Sequence, residues 1–127
     1  MRFAYTIIYV DNVPATLDFY KSAFGLEIGF LHEGQDYGEL VTGETKLAFS
    51  AKSLMRQMGK SPGDADPKSP VAEIAFETSD VPSAFDSALS AGASQVSKPE
   101  ETPWGQTIAY VSDPDGTLIE ICTPVGG

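Results

Sequence analysis

Cysteine and histidine are each present once in the 127 residues, as Cys122 and His32. A lone cysteine excludes an intrachain disulfide and any CxxC redox or metal motif, and a lone histidine excludes most sites built from several imidazoles. No apolar run approaches the roughly 20 residues that cross a bilayer. The opening stretch, Met1 to Val10, is too short and too regularly patterned for a secretory signal. A cytoplasmic protein without a membrane partner is therefore expected. Basic residues are also scarce: eight Lys and Arg stand against eighteen Asp and Glu, a formal charge of -10. Such a surface repels phosphate backbones, which removes nucleic acid from the expected partners. It attracts cations, although solubility alone is the simpler account of the charge.

What is present is ordinary globular material, 42% hydrophobic and 20% charged, in a chain long enough to bury one core without disulfides or a structural metal. Arg2 to Val10 is rich in β-branched and aromatic residues and reads as a strand. Asp11-Asn12-Val13-Pro14 then forms a turn into a helix, with an N-cap at Asp11 or Asn12. Leu17, Tyr20, Ala23 and Phe24 recur at helical spacing until Gly25 ends the helix. Strands follow at Leu26–His32, Tyr37–Val41 and Lys46–Ser50, making a βαβββ unit.

The second half repeats this order. Val71–Thr78 reads as a strand and Ser79-Asp80-Val81-Pro82 as a turn. Ser83–Ala91 is then a helix stopped by Gly92, followed by strands at Ala93–Ser97, Thr107–Ser112 and Leu118–Cys122. Asp113-Pro114-Asp115-Gly116 makes the last hairpin turn. Aligning Val13-Pro14 with Val81-Pro82 also aligns Asp18 with Asp86, Ser22 with Ser90 and Ile8 with Phe76. The expectation is one α+β domain over 1–127: a module at 1–50, a linker at 51–70 and a module at 71–127, packed around a shared concavity. In the linker, Leu54, Met55 and Met58 allow a short amphipathic helix. The segment is read mainly as a linker with some apolar packing, and alternatively as a mobile wall of the cleft.

Several stretches carry a resemblance. Tyr9-Val10-Asp11-Asn12-Val13, Phe19-Tyr20-Lys21 and Gly25-Leu26-Glu27 resemble the opening of vicinal oxygen chelate proteins. Asp113-Pro114-Asp115-Gly116 through Ile119-Glu120-Ile121 resembles the superfamily's ending, and Pro103-Trp104-Gly105-Gln106 is similar to a segment of its bleomycin-resistance and glyoxalase-like branches. The resemblance implies the glyoxalase/bleomycin-resistance/dioxygenase fold, two tandem βαβββ modules forming a curved sheet cleft. It also implies a two-fold homodimer, since family clefts commonly form where modules of different chains meet.

In metal-dependent members a divalent ion sits in the cleft, and bacterial glyoxalase I holds it with two histidines and two glutamates. Those four positions fall on Tyr5, Ala48, Glu73 and Glu120, of which Glu120 alone keeps the family's residue. A neutral phenol is a poor ligand and alanine is none, so transition metals, which favour imidazole or thiolate, are not expected. Magnesium or calcium with several waters is the remaining metal alternative, on a thin shell of two carboxylates. No other cofactor is expected.

Strand alternation puts Glu73, Ala75 and Glu77 on one face, and Leu118, Glu120 and Cys122 on another single face. Glu73 and Glu120 are candidates to bind a ligand cation, or to share a proton as catalytic acid and base; ligand contact is the favoured role. Tyr5, Ala48 and Trp104 join them as expected ligand-binding positions, with Trp104 read equally as a packing anchor. Cys122 is expected to be an inert buried thiol and His32 a surface residue. The leading functional expectation is a binding protein of the bleomycin-resistance kind for a small organic molecule, without a transition metal. The alternative is a lactoylglutathione lyase-, epimerase- or dioxygenase-like enzyme with an atypical metal site, and a weaker third class is a structural or regulatory domain.

Overall fold

The computed structural model describes residues 1–126. The chain forms two compact units, Met1–Gly63 and Asp64–Gly127. The first runs β1 (Tyr5–Val10), α1 (Val13–Phe24), β2 (Ile28–Leu31), β3 (Tyr37–Leu40), β4 (Lys46–Ala51) and α2 (Lys52–Gln57). The second runs β5 (Glu73–Glu77), α3 (Val81–Ser90), β6 (Ser94–Glu101), β7 (Thr107–Ser112) and β8 (Leu118–Cys122). Each holds one mixed four-stranded sheet, ordered β1-β4-β3-β2 and β5-β8-β7-β6. The architecture is α+β, built of two tandem βαβββ modules.

The two modules share one register. Ile7 lies beside Ala48 on parallel strands as Ala75 lies beside Glu120, and Tyr5 beside Lys46 as Glu73 lies beside Leu118. Paired residues of neighbouring strands project to the same face, so these registers decide which side chains are covered by helix. In the first unit α1 covers the face of Val10, Leu40 and Phe49, all at most 1% exposed. The Tyr20 and Phe49 rings meet at 5.1 Å between centroids. Fully burying each such side chain contributes roughly 1.5–3 kcal/mol. In the second unit α3 buries Val81, Phe85 and Ala88 on the side of Ala109, Val111, Ile119 and Ile121.

Both long helices begin in the same way. The Asn12 carboxamide accepts from Ala15 N–H at 3.1 Å, and the Asp80 carboxylate from Ser83 N–H at 3.1 Å, each followed by proline in the first turn. The side-chain oxygen satisfies an otherwise orphaned amide, and proline has no amide to waste there. Close packing of α1 requires a residue without Cβ on β3, because a Cβ at Gly38 would sit 2.5 Å from Leu17 Cδ1.

Several boundaries differ from the sequence expectations. The first strand starts at Tyr5 rather than Arg2, and β5 at Glu73 rather than Val71, since the preceding residues have no partner strand. The third helix begins at Val81, two residues before Ser83, because Asp80 is its cap. Strand β6 continues past Ser97 to Glu101 through Lys98 and Pro99, which an edge position with register shifts tolerates. Leu54 and Met55 of the linker do lie on a helix, α2, which buries Met55 and packs beside β4 and β1, while Met58 is its C-cap and 62% exposed. Ala65 and Pro67 of the linker lie on the last hairpin turn. Gly116, at φ +94°, faces the Ala65 carbonyl so closely that a Cβ would approach it to 2.5 Å.

Candidate functional site

Each sheet has a second face that its long helix does not cover. In the second unit the register places Glu73, Ala75 and Glu77 of β5, Glu120 and Cys122 of β8, and Ile108 and Tyr110 of β7 on that open face. The Tyr110 hydroxyl donates to Glu120 Oε1 at 3.0 Å. Burial, then the hydrogen bond and charge of Glu120, then Glu73 push the Tyr110 phenol up to about 12. The same carboxylates surround Cys122: burial, then Glu120, Glu77 and Glu73 push its thiol up to about 11. A thiol so held is protonated at neutral pH and is no nucleophile. Glu73 and Glu120 are thus brought to one phenol, with Glu120 as the hub.

In the first unit the open face carries Tyr5, Ile7 and Tyr9 of β1, Lys46, Ala48 and Ser50 of β4, and Tyr37 and Glu39 of β3. The Tyr37 hydroxyl donates to Glu39 Oε2 at 2.8 Å, and Lys46 Nζ lies 3.2 Å from Glu39 Oε1. Burial and Glu39 push the Tyr37 phenol well above its ordinary value. Lys46 Nζ also stands 5.9 Å from the centre of the Tyr5 ring. Ala48 is 0% exposed, so its methyl group is closed off from solvent.

Neither Tyr37, Glu39, Lys46 nor Tyr110 was singled out by the sequence patterns. One of them was within reach of a count: the Asp113–Gly116 turn centres a hairpin in which residue 110 faces residue 120. Trp104 sits in the loop between β6 and β7, 62% exposed. Its indole N–H donates to Gln106 Oε1 at 2.6 Å, and Gln106 Nε2 donates to the Thr123 carbonyl at 2.7 Å. The ring is pinned at its polar edge and open on its faces, which is not the burial of a packing anchor. His32 lies 3.3 Å from Asp36, and its Nδ1 accepts from Gly34 N–H at 3.1 Å, so it organises its own hairpin.

The residues at the four metal-ligand positions do not fit a transition metal. Ala48 has no donor atom, Tyr5 has Lys46 over its ring, and one Glu120 oxygen is taken by Tyr110. Among the described residues no three or more His, Cys, Asp or Glu are grouped so as to hold a metal ion. No helix among them is long and apolar enough to cross a membrane.

The sequence model of the glyoxalase-like domain family matches residues 3–126. Uncharacterized protein YraH of Bacillus subtilis (strain 168) is 28% identical over 120 residues, which are 90% of this chain and 91% of YraH. A glyoxalase-related enzyme from Fulvimarina pelagi has the same fold, with a TM-score of 0.84 at 20% identity over 98% of this chain and 88% of that one. A member of the glyoxalase/bleomycin resistance protein/dioxygenase superfamily from Sphaerobacter thermophilus DSM 20745 aligns with a TM-score of 0.73 at 25% identity, over 98% of both chains. With the family model spanning nearly its whole length, a matching fold and two modules in one register, the chain belongs to the glyoxalase-like domain family of the vicinal oxygen chelate superfamily.

Proposed function

We propose that this chain is a bleomycin-resistance-like binding protein that takes a small organic molecule on its open sheet faces, without a transition metal and as a cytoplasmic homodimer. The observation that carries the reading is the chemistry at Tyr5, Ala48, Glu73 and Glu120. These positions supply no imidazole, and Ala48 is buried with no atom to offer a metal. What they leave is a phenol and two carboxylates on sheet faces that also carry Ile7, Ala75 and Ile108, and polar groups set beside apolar ones are what an organic-ligand site uses. Glu120, already accepting from Tyr110, is a carboxylate with further acceptor capacity for a ligand donor. Glu73 and Glu120 act as ligand contacts here, with no catalytic step assigned to them.

The test is metal analysis of protein purified without added metal, alongside ligand binding with and without a chelator. The expected result is well below one equivalent of zinc, nickel, iron or manganese, with binding indifferent to chelator. Stoichiometric metal whose removal abolishes binding would replace this reading with a metal-dependent lyase, epimerase or dioxygenase. Light scattering at micromolar concentration should return the mass of a dimer; a monomer would remove that part of the proposal.

A further inference from the structure

In a chain of net charge -10, Lys60 is a cation placed on the open face of the first sheet. It makes no ion pair among the described residues. Its Nζ donates instead to the Tyr9 hydroxyl oxygen at 3.1 Å and lies 5.4 Å from the centre of the Tyr9 ring. The position is set by backbone. After α2 the chain turns through Gly59 in the left-handed region, and Lys60 N–H donates back to the Met55 carbonyl at 3.0 Å. This return bond is the helix-closing geometry of a Schellman motif. The side chain then runs past Met55, with Nζ 3.7 Å from its sulfur, to the open face of the first sheet.

The consequence lies in where the protons go. Tyr37 and Tyr110 give their hydroxyl protons to Glu39 and Glu120. Tyr9 accepts from an ammonium, so its own proton points away from Lys60. Of the other two ammonium N–H groups, one is directed at the Met55 sulfur and one remains beside the Tyr9 hydroxyl. These donors converge at the C-terminal end of β1, and among the described residues Lys60 has no carboxylate within ion-pair distance. Along the same strand and face, Ile7 and Tyr5 are each nearly half exposed, at 46% and 47%. Tyr5 lies four residues from Tyr9, roughly 13 Å at strand spacing.

We infer that Lys60 and Tyr9 form the head-group site for an organic anion, a carboxylate or sulfonate whose apolar or aromatic body lies on Ile7 and Tyr5. Acceptor-rich anions complement a donor-only pair, and charge-assisted bonds to an ammonium are the strong class of hydrogen bond. At the far end of the face Lys46 is already neutralised by Glu39, so the anionic end is directed to Lys60. This inference rests on the proposed ligand-binding function and names the ligand's charge.

The test uses two fluorescent probes of similar ring system, 8-anilinonaphthalene-1-sulfonate and the uncharged N-phenyl-1-naphthylamine, with the full chain. The sulfonate should bind at least about tenfold more tightly, the size of one charge-assisted contact. Lys60→Met should remove that advantage while changing the neutral probe's affinity less than twofold. Lys60→Arg should retain most of it, and Tyr9→Phe should lose part. Circular dichroism and light scattering of each variant confirm an unchanged fold and mass. Equal binding of the two probes, or equal loss of both in Lys60→Met, overturns the anion assignment and leaves the binding function standing. Failure of both probes to bind the parent protein overturns the two readings together. A change of mass in Lys60→Met assigns Lys60 to a subunit contact and overturns the head-group site.

Discussion

Replacing Gly38 by alanine tests how tightly α1 is seated on its sheet. A Cβ there would lie 2.5 Å from Leu17 Cδ1, 3.2 Å from Val13 Cγ1 and 3.2 Å from the Phe30 carbonyl oxygen. Carbon atoms rest at about 3.5–4.0 Å, so the leucine methyl must retreat by about 1 Å. Leu17 is 0% exposed and Val13 1%, which leaves the helix little room to yield. Overpacking of this kind costs about 1–3 kcal/mol, and exchanging glycine for alanine in a strand returns about 0.5–1 kcal/mol. The net expectation is a loss of about 1–2 kcal/mol. With a urea dependence of about 2 kcal/mol per molar, the middle of the usual range, the unfolding midpoint should fall by roughly 0.5–1 M. Gly63→Ala is the control, since a Cβ there meets nothing within 4 Å and the backbone is not left-handed; its change should stay below about 1 kcal/mol and favour stability. Leu17→Ala alone should cost about 2–5 kcal/mol, but less in the Gly38→Ala background, with a coupling of order 1 kcal/mol. A Gly38→Ala midpoint at or above that of the parent, or strict additivity with Leu17→Ala, would refute the close-approach account.

Two other outcomes follow from hydrogen bonds. Glu120→Gln should lower the Tyr110 phenol from about 12 while leaving it above the ordinary value of about 10, because burial is the largest cause and remains; NMR of ring-labelled tyrosine reads this directly. Since the folded value is the raised one, the stability linked to Tyr110 is fully present below about pH 10 and is lost as pH rises through 12. Asp80→Ala should cost about 1 kcal/mol by removing the cap on Ser83 N–H, and Asp80→Asn should restore most of it, as read by thermal or urea unfolding.

Sequence by itself determined the parts governed by short-range rules. Strand alternation, the Asn12-Val13-Pro14 and Asp80-Val81-Pro82 helix starts and the Asp113–Gly116 turn specify a repeated βαβββ order, because capping, proline geometry and side-chain period act within a few residues. The repeat also aligned Tyr5 with Glu73, and the strand registers agree. Partners on strands not joined by a tight turn were decided only by tertiary structure. That Lys46 of β4 reaches Glu39 of β3 depends on sheet order and register, which are set when helix and sheet pack together. The burial of Ala48 and the extension of β6 to Glu101 have the same origin, being properties of neighbours distant in sequence. Lys60 is the clearest case. In the linker it reads as one more polar loop residue, and only the closure of α2 beside β1 brings its ammonium to the Tyr9 hydroxyl.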